Sequence, residues 1–481
     1  MPTIAPLRVG FAAVVRDAFK GDAMTLTKRA SDALARDGSA LGYDLVAATE
    51  RVTDADAALR VGAWAASAEL DYLLVLQATF ATGEVLAPLL RAVPQVGLWA
   101  VPEAEGLPLR RAGIRPEMRP LPLNSLCGLN MTLSLLDHPA VGKAERVKWY
   151  WGAPGSEAFG RRWRPTVASL RGMRALANAR ILQIGGTAPA FYRLEERPAL
   201  PGVHVDTIPL ATLYARMEAV TDHDAMMRAN AWRASEPLRG ASEAHVAVAA
   251  RTELALAALA DDGAYQALAL RCWPEFADAC GGMACAAVGA MADRLLPTAC
   301  EGDVMGALSM LALQAIAAAP SALLDLSDLD GRYDRLMLWH CGNAPAAFSG
   351  RAGARLTTHF NRDGVGVVRD MHLAAGPATG FRLLSGGARA VIISGILAEP
   401  DEPDVDGVRG WLGTLRWDGE PRRAADVVAQ VLDARLPHHL ALVAGEHTEA
   451  VHELVVRIGG SVLPPARVRD ALVAAVDIDP T

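Results

Sequence analysis

Short apolar runs alternate with helical patterns from the start of the chain. Residues 7–14, 42–47, 72–76 and 95–101 read as buried strands, and residues 22–36, 54–69 and 83–91 as the helices between them, with Asp54 as an N-cap. Strands separated by helices of this length pair in parallel and need cover on both faces, which predicts a doubly wound, Rossmann-like or flavodoxin-like α/β domain over residues 1–160. A second α/β domain is predicted over 161–318, with strands at 180–184, 203–208 and 265–270 and helices at 165–177, 243–260, 282–296 and 303–319. Its Gly185-Gly186 turn lacks the G-x-G-x-x-G spacing and the P-loop lysine, so it reads as a tight strand-to-helix turn. From 319 to 481 the strands 322–327, 335–339, 364–373, 379–384, 388–397 and 409–415 are joined by Gly, Asp and Pro, which predicts a β-rich, antiparallel, barrel-like domain. A helix at 424–434, a strand at 440–444 and a helix at 448–459 follow.

Composition narrows the possibilities. With 52% hydrophobic and 21% charged types over 481 residues, the chain is no disordered polymer. Its 47 basic and 54 acidic residues give a net charge of −7 with no long block of one sign, which disfavours a nucleic-acid partner. The uncharged stretch 304–324 is long enough to cross a bilayer, but alanine dominates it and Gln314, Pro320 and Ser321 interrupt it. A buried helix running into a buried strand is expected there instead of a membrane span. Six cysteines without CxxC pairing read as reduced, mostly buried thiols. Residues 1–9 lack the features of a signal peptide, so a cytoplasmic location is expected by default.

Ligands in open α/β sheets bind beyond the carboxyl ends of strands, which directs attention to polar residues where apolar runs stop. Three such places carry charge: Arg271-Cys272-Trp273-Pro274-Glu275, Glu301-Gly302-Asp303 and Asp325. Glu301 precedes an apolar helix whose N-cap would be Asp303, a setting of free amides that favours an ionised carboxylate. Mere decoration of a helix start is the plainer alternative. Asp325 follows Ala322-Leu323-Leu324 and, if buried, needs a partner or a metal to offset desolvation; a turn-forming role beside Asp328 and Asp330 competes with that reading. His438 and His439 precede an apolar strand, and adjacent side chains on extended backbone point opposite ways, so at most one is expected to reach a common centre. A hairpin turning at Asp330-Gly331 would set residue 336 opposite Asp325 and leave His340 about 13 Å along the strand, against shared ligation.

The segments Asn124-Ser125-Leu126-Cys127-Gly128-Leu129-Asn130, Arg271-Cys272-Trp273-Pro274-Glu275, Pro297-Thr298-Ala299-Cys300-Glu301-Gly302-Asp303, Leu338-Trp339-His340-Cys341-Gly342 and Pro437-His438-His439 together resemble the fucose and arabinose isomerase superfamily, specifically its shorter fucose-isomerase-like bacterial members. The resemblance runs over most of the chain. It implies two α/β domains before a β-rich domain and one divalent ion, usually manganese, with magnesium or cobalt as alternatives. Carried over by residue, the metal-binding glutamate is similar to Glu301, the second carboxylate to Asp325 and the late histidine to His439, with His438 one position off. The further histidine of arabinose isomerases would fall on His340. The implied reaction is aldose–ketose interconversion of a monosaccharide through a cis-enediol, with Glu301 and Asp325 shuttling protons. Arg271, Trp273 and Glu275 are candidates for gripping the sugar, against the alternative of an interdomain salt bridge beside a packed indole. Superfamily members assemble as homo-oligomers, and Asn124 is the candidate for a site shared between subunits. Two other readings stand beside this one: a non-enzymatic sugar-binding or regulatory protein, and a metal-dependent sugar epimerase or lyase.

Overall fold

The computed structural model describes residues 6–106, 121–136, 138–139, 147–398 and 405–465. The first sheet is built from β1 (Leu7–Val14), β2 (Tyr43–Ala47), β3 (Tyr72–Gln77), β4 (Val96–Ala100) and β5 (Val147–Trp151), with α1 (Ala23–Leu41), α2 (Ala55–Ser67), α3 (Gly83–Ala92) and α4 (Ser125–Ser134) between them. All its strands are parallel, in the order β2-β1-β3-β4-β5. β3 and β4 are buried at every position, as continuous apolar runs in a sheet covered on both faces must be. Asp22 and Asp54 cap α1 and α2 by accepting from the amides of Thr25 and Ala57. The apolar pattern does not predict β5. It is an edge strand of mixed Lys and aromatic residues, so no uninterrupted apolar run marks it.

Within α5 (Glu157–Leu176) the chain divides into two compact units, Thr3–Leu170 and the part from Arg171 onward. The second unit opens with a four-stranded parallel sheet, β7-β6-β8-β9, made of β6 (Arg180–Ile184), β7 (His204–Ile208), β8 (Ala267–Leu270) and β9 (Thr298–Ala299). Its helices are α6 (Leu210–Glu218), α7 (Asp222–Ser235), α8 (Glu243–Gly263), α9 (Phe276–Cys280), α10 (Cys285–Asp293) and α11 (Val304–Ala317). The uncharged stretch from residue 304 is, as expected, the buried helix α11 leading into a strand, and no helix among the described residues is long and apolar enough to cross a membrane.

The same unit then builds β10 (Ala322–Asp330), β11 (Arg335–His340), β12 (Arg355–Thr358), β13 (Gly366–His372), β14 (Gly376–Leu384), β15 (Arg389–Leu397), β16 (Val408–Trp417), β17 (Glu420–Pro421), α12 (Ala424–Asp433), β18 (His439–Ala444), α13 (Thr448–Arg457) and β19 (Ser461–Val462). Six of these strands close an antiparallel barrel in the order β16-β11-β10-β18-β14-β15, with β15 returning to β16. The fold is therefore two parallel-sheet α/β domains followed by a β-rich barrel, as the alternation predicts. Leu324, Leu338, Ile393, Leu412, Trp417 and Leu440 belong to the core of the barrel region.

Closure depends on a close approach at the β15–β16 seam, where the register shifts between Ser394 and Ile396. A Cβ on Gly395 would stand 2.5 Å from the Gly413 carbonyl oxygen and 3.0 Å from Leu412 Cγ. Gly395→Val is thus expected to lower the unfolding free energy by about 1–3 kcal/mol through overpacking. Urea unfolding measures it, and an unchanged midpoint would show that the seam opens without cost.

Candidate functional site

The turn between β9 and α11 is made by two successive residues in the left-handed region, Glu301 (φ 58°) and Gly302 (φ 72°). Gly302 has no alternative, since a Cβ there would lie 2.0 Å from the Gly186 carbonyl oxygen. Backbone bonds hold the turn: the Ala188 amide donates to the Glu301 carbonyl (2.9 Å) and the Gly302 amide to the Leu270 carbonyl (3.0 Å). Gln183 Nε2 donates to the Gly302 carbonyl at 2.8 Å. Asp303 then caps α11, accepting from the Gly306 amide at 2.8 Å, as its place before an apolar helix predicts.

Asp303 does more than cap. Its fully buried carboxylate takes two bonds from the Arg382 guanidinium of β14, that from Nη2 at 3.0 Å, and one from His439 Nδ1–H at 2.8 Å. Burial alone would lift the Asp303 pKa; the Arg382 charge and the His439 bond outweigh it and hold the group well below the usual carboxylate range. Burial likewise works against a charged His439, yet the Asp303 hydrogen bond and the surrounding carboxylates raise its pKa. With Nδ1–H committed to Asp303, Nε2 is the outer end of the His439 ring, 3.9 Å from Cys300 Sγ. It faces Glu301 Oε2 at 3.6 Å and Asp325 Oδ1 at 3.7 Å.

Asp325 and His439 are direct cross-strand partners on β10 and β18, so register alone sets them side by side. Asp325 Oδ1 is buried without a hydrogen-bond partner, and burial pushes its pKa up against the opposing pull of His439 and His438. Glu301 and Asp325 thus each bring a carboxylate oxygen to His439 Nε2, while the donor atoms that lie within 4.8 Å of one another here are those of Glu301, His438 and His439 and those of Cys300, His340 and His439.

His438 is also drawn in, with Nε2 3.1 Å from Glu301 Oε2. The two histidines do not alternate as extended residues would, because β18 begins only at His439 and His438 lies in the bend before it. The hairpin register also differs from expectation. Residues 331–334 form a longer turn and a bulge lies between Leu326 and Asp328, so Trp339, not residue 336, pairs with Asp325. His340 is therefore one residue from the pair, buried, with its ring centroid 5.7 Å from that of His439. The Cys341 amide donates to its Nδ1 at 2.8 Å, which leaves the proton on Nε2, 3.0 Å from Cys300 Sγ. A protonated Nε2 is no metal-binding lone pair, and burial presses the His340 pKa well below its ordinary value, keeping the ring neutral.

The remaining sequence candidates divide. Arg271 pairs with Glu275 beyond the end of β8, while its own Nε and Glu275 Oε2 are buried without partners. Trp273 is half exposed, edge-on to Phe191 at 6.2 Å, and Phe191 lies 5.6 Å from His438. Phe191, Arg193 and His438 line a shallow depression of about 460 Å³. Asn124 belongs to the first unit, where it precedes α4 and lines a depression of about 640 Å³ with Glu103, Cys127 and Trp151. Sequence reasoning missed Arg382 and Phe191. A signal existed for Arg382: a guanidinium inside the apolar strand Gly380-Phe381-Arg382-Leu383-Leu384 demands a buried counter-charge. None existed for Phe191.

Comparison with known proteins adds an independent finding. The chain is 26% identical over 400 residues to the sulfoquinovose isomerase of Priestia aryabhattai, covering 80% of this chain and 83% of the relative. The sulfoquinovose isomerase of Alkalicoccus urumqiensis is 26% identical over 393 residues, covering 80% and 84%. A third relative of that name, from Clostridium sp. (strain MSTE9), is 37% identical over 97 residues, 20% of this chain and 22% of its own. This likeness supports a sugar isomerase. No protein-family model matches the chain.

The buried charge pair yields a test of the site's framework. Asp303→Asn leaves Arg382 uncompensated and is expected to cost about 3–5 kcal/mol of stability. Arg382→Met in the same chain should restore part of it in urea unfolding, and strictly additive losses would show that the two residues do not support each other.

Proposed function

We propose that the chain is an aldose–ketose isomerase that moves a proton between C1 and C2 of a monosaccharide through a cis-enediol, with one divalent cation held by Glu301, Asp325 and His439. The observation that carries this reading is the unpartnered, buried Asp325 Oδ1, set across from a histidine whose other nitrogen is fixed by a carboxylate. A ring anchored at Nδ1 by an acid offers Nε2 as a ligand, since a carboxylate bonded to one ring nitrogen orients the other toward a metal. Two carboxylate oxygens and one imidazole suit manganese, magnesium or cobalt. When bound, such an ion supplies Lewis acidity toward vicinal sugar oxygens.

The chain's own groups would do the rest. Glu301 has some solvent access, its side chain 18% exposed, and is the carboxylate better placed to exchange protons with water and with one sugar carbon. Asp325, the other carboxylate beside His439 Nε2, would return the proton at the neighbouring carbon. His438 at the rim, bonded to Glu301, and the faces of Phe191 and Trp273 would orient the sugar. Arg193 meets no carboxylate among the described residues and lines the adjoining depression, which supports a substrate with an anionic substituent, such as the sulfonate of sulfoquinovose. Membership of the fucose and arabinose isomerase superfamily, and assembly of copies with Asn124 serving a neighbour's site, belong to the same proposal and rest on resemblance.

The test uses purified protein, stripped of metal and reloaded with manganese, in deuterated water with sulfoquinovose and a panel of neutral aldoses. Ketose formation with deuterium at C2 is expected, lost with chelator and restored by manganese. Glu301→Gln and Asp325→Asn should each lower kcat by about 10²–10⁴-fold. Arg193→Ala should raise KM for the sulfonated sugar and leave that for a neutral one unchanged. Exchange without ketose would point to an epimerase or lyase, and bound metal with no exchange on any sugar to a binding protein.

A further inference from the structure

A second cluster of donors lies in the same unit and takes no part in the chemistry above. Cys285 opens α10, Cys341 follows β11 and His359 follows β12, so three separate segments of chain bring them together. Cys285 Sγ and Cys341 Sγ are 3.5 Å apart. One donor atom from each of the three residues lies within 4.8 Å of the other two. Ala277, Met283 and Val368 form an apolar cluster with Cys285, and Cys341 and Val365 pack against it. Cys285 is buried and Cys341 half-buried.

We propose that Cys285, Cys341 and His359 form a second cation site, for a thiophilic divalent ion such as zinc. Two sulfurs on one tetrahedral zinc, each about 2.3 Å from the ion, stand about 3.8 Å apart, close to the spacing found here. A disulfide would require about 2.05 Å and a further inward movement of both segments. Two thiols and an imidazole are the donor set that zinc selects, with one position left for water, and the Asn361 amide, 3.3 Å from His359 Nδ1, gives up that contact when the ring ligates. The donors also separate the two sites chemically: oxygen-rich for Glu301 and Asp325, sulfur-rich here. Binding would release the thiol protons to solvent and tie the start of α10 to the exits of β11 and β12. The residue after His340 would thereby be fixed.

Cobalt as a spectroscopic substitute for zinc tests the site on the full chain, reduced and stripped of metal. The wild-type protein is expected to show thiolate-to-cobalt charge-transfer absorption and intense tetrahedral d–d bands, saturating at one equivalent and displaced by zinc. Cys285→Ser and Cys341→Ser should abolish both features, and Glu301→Gln should retain them, so failure here is distinct from failure of the isomerase proposal. Circular dichroism confirms folding, and if one serine variant does not fold the other carries the test. The site is refuted if the folded wild-type protein shows no thiolate band, if the band survives in both serine variants, or if freshly purified protein holds a Cys285–Cys341 disulfide.

Discussion

One buried carboxylate organises the junction between the second parallel sheet and the barrel. Asp303 accepts from the first turn of α11, from Arg382 on β14 and from His439 at the start of β18, three elements that share no local sequence. Burying an ion costs several kcal/mol, and an acid this deep persists as an ion only because every one of these donors is in place. The arrangement is therefore mutually conditional. Without Arg382 the charge is too costly, and without the charge His439 loses the bond that fixes its tautomer.

That dependence explains how two acids of unlike origin come to share an imidazole. Asp325 reaches His439 through strand register, which a one-residue slip would destroy by turning the side chain to the other face. Glu301 arrives from the other sheet on a turn that places a non-glycine residue at positive φ, a conformation that costs free energy unless the surroundings over-determine it. Here they do, because the Gly302 carbonyl, the Gly302 amide and the Glu301 carbonyl are all bonded. Its backbone is held by other backbone, and among the described residues its carboxylate meets only the two histidines.

Much of this was legible before any coordinates. The alternation of apolar runs marks the two parallel sheets, and polar residues where apolar runs stop point to Glu301, Asp303 and Asp325, although Asp325 lies within β10 of the barrel and not at a strand end. The helix cap was readable because Asp before an uninterrupted apolar helix has few other uses. What escaped was long-range. The Asp325–Trp339 register hinges on a bulge and on the length of the turn before β11, which no periodicity encodes. The strand β5 escaped because an edge strand need not be apolar, and the approach of both histidines to Glu301 because a bend at His438 cancels the alternation that an extended reading assumes.

The fate of His340 shows why nearness alone does not assign a ligand. It stacks 5.7 Å from His439 and lies with Cys300 in the same buried layer, so distance would admit it to the centre. The proton decides otherwise. A backbone amide from Cys341 occupies Nδ1, so the neutral ring must carry its hydrogen on Nε2, where it meets the Cys300 sulfur. His439 is bonded the opposite way, with Nδ1 as donor to Asp303 and Nε2 released. The two imidazoles thus differ at Nδ1, an acceptor in His340 and a donor in His439, and His439 is the one that turns its Nε2 to the carboxylates. Cys300 stands in the same cluster, 3.0 Å from His340 Nε2 and 3.9 Å from His439 Nε2, and its bond with Cys272, together with burial, raises its pKa and keeps it a thiol.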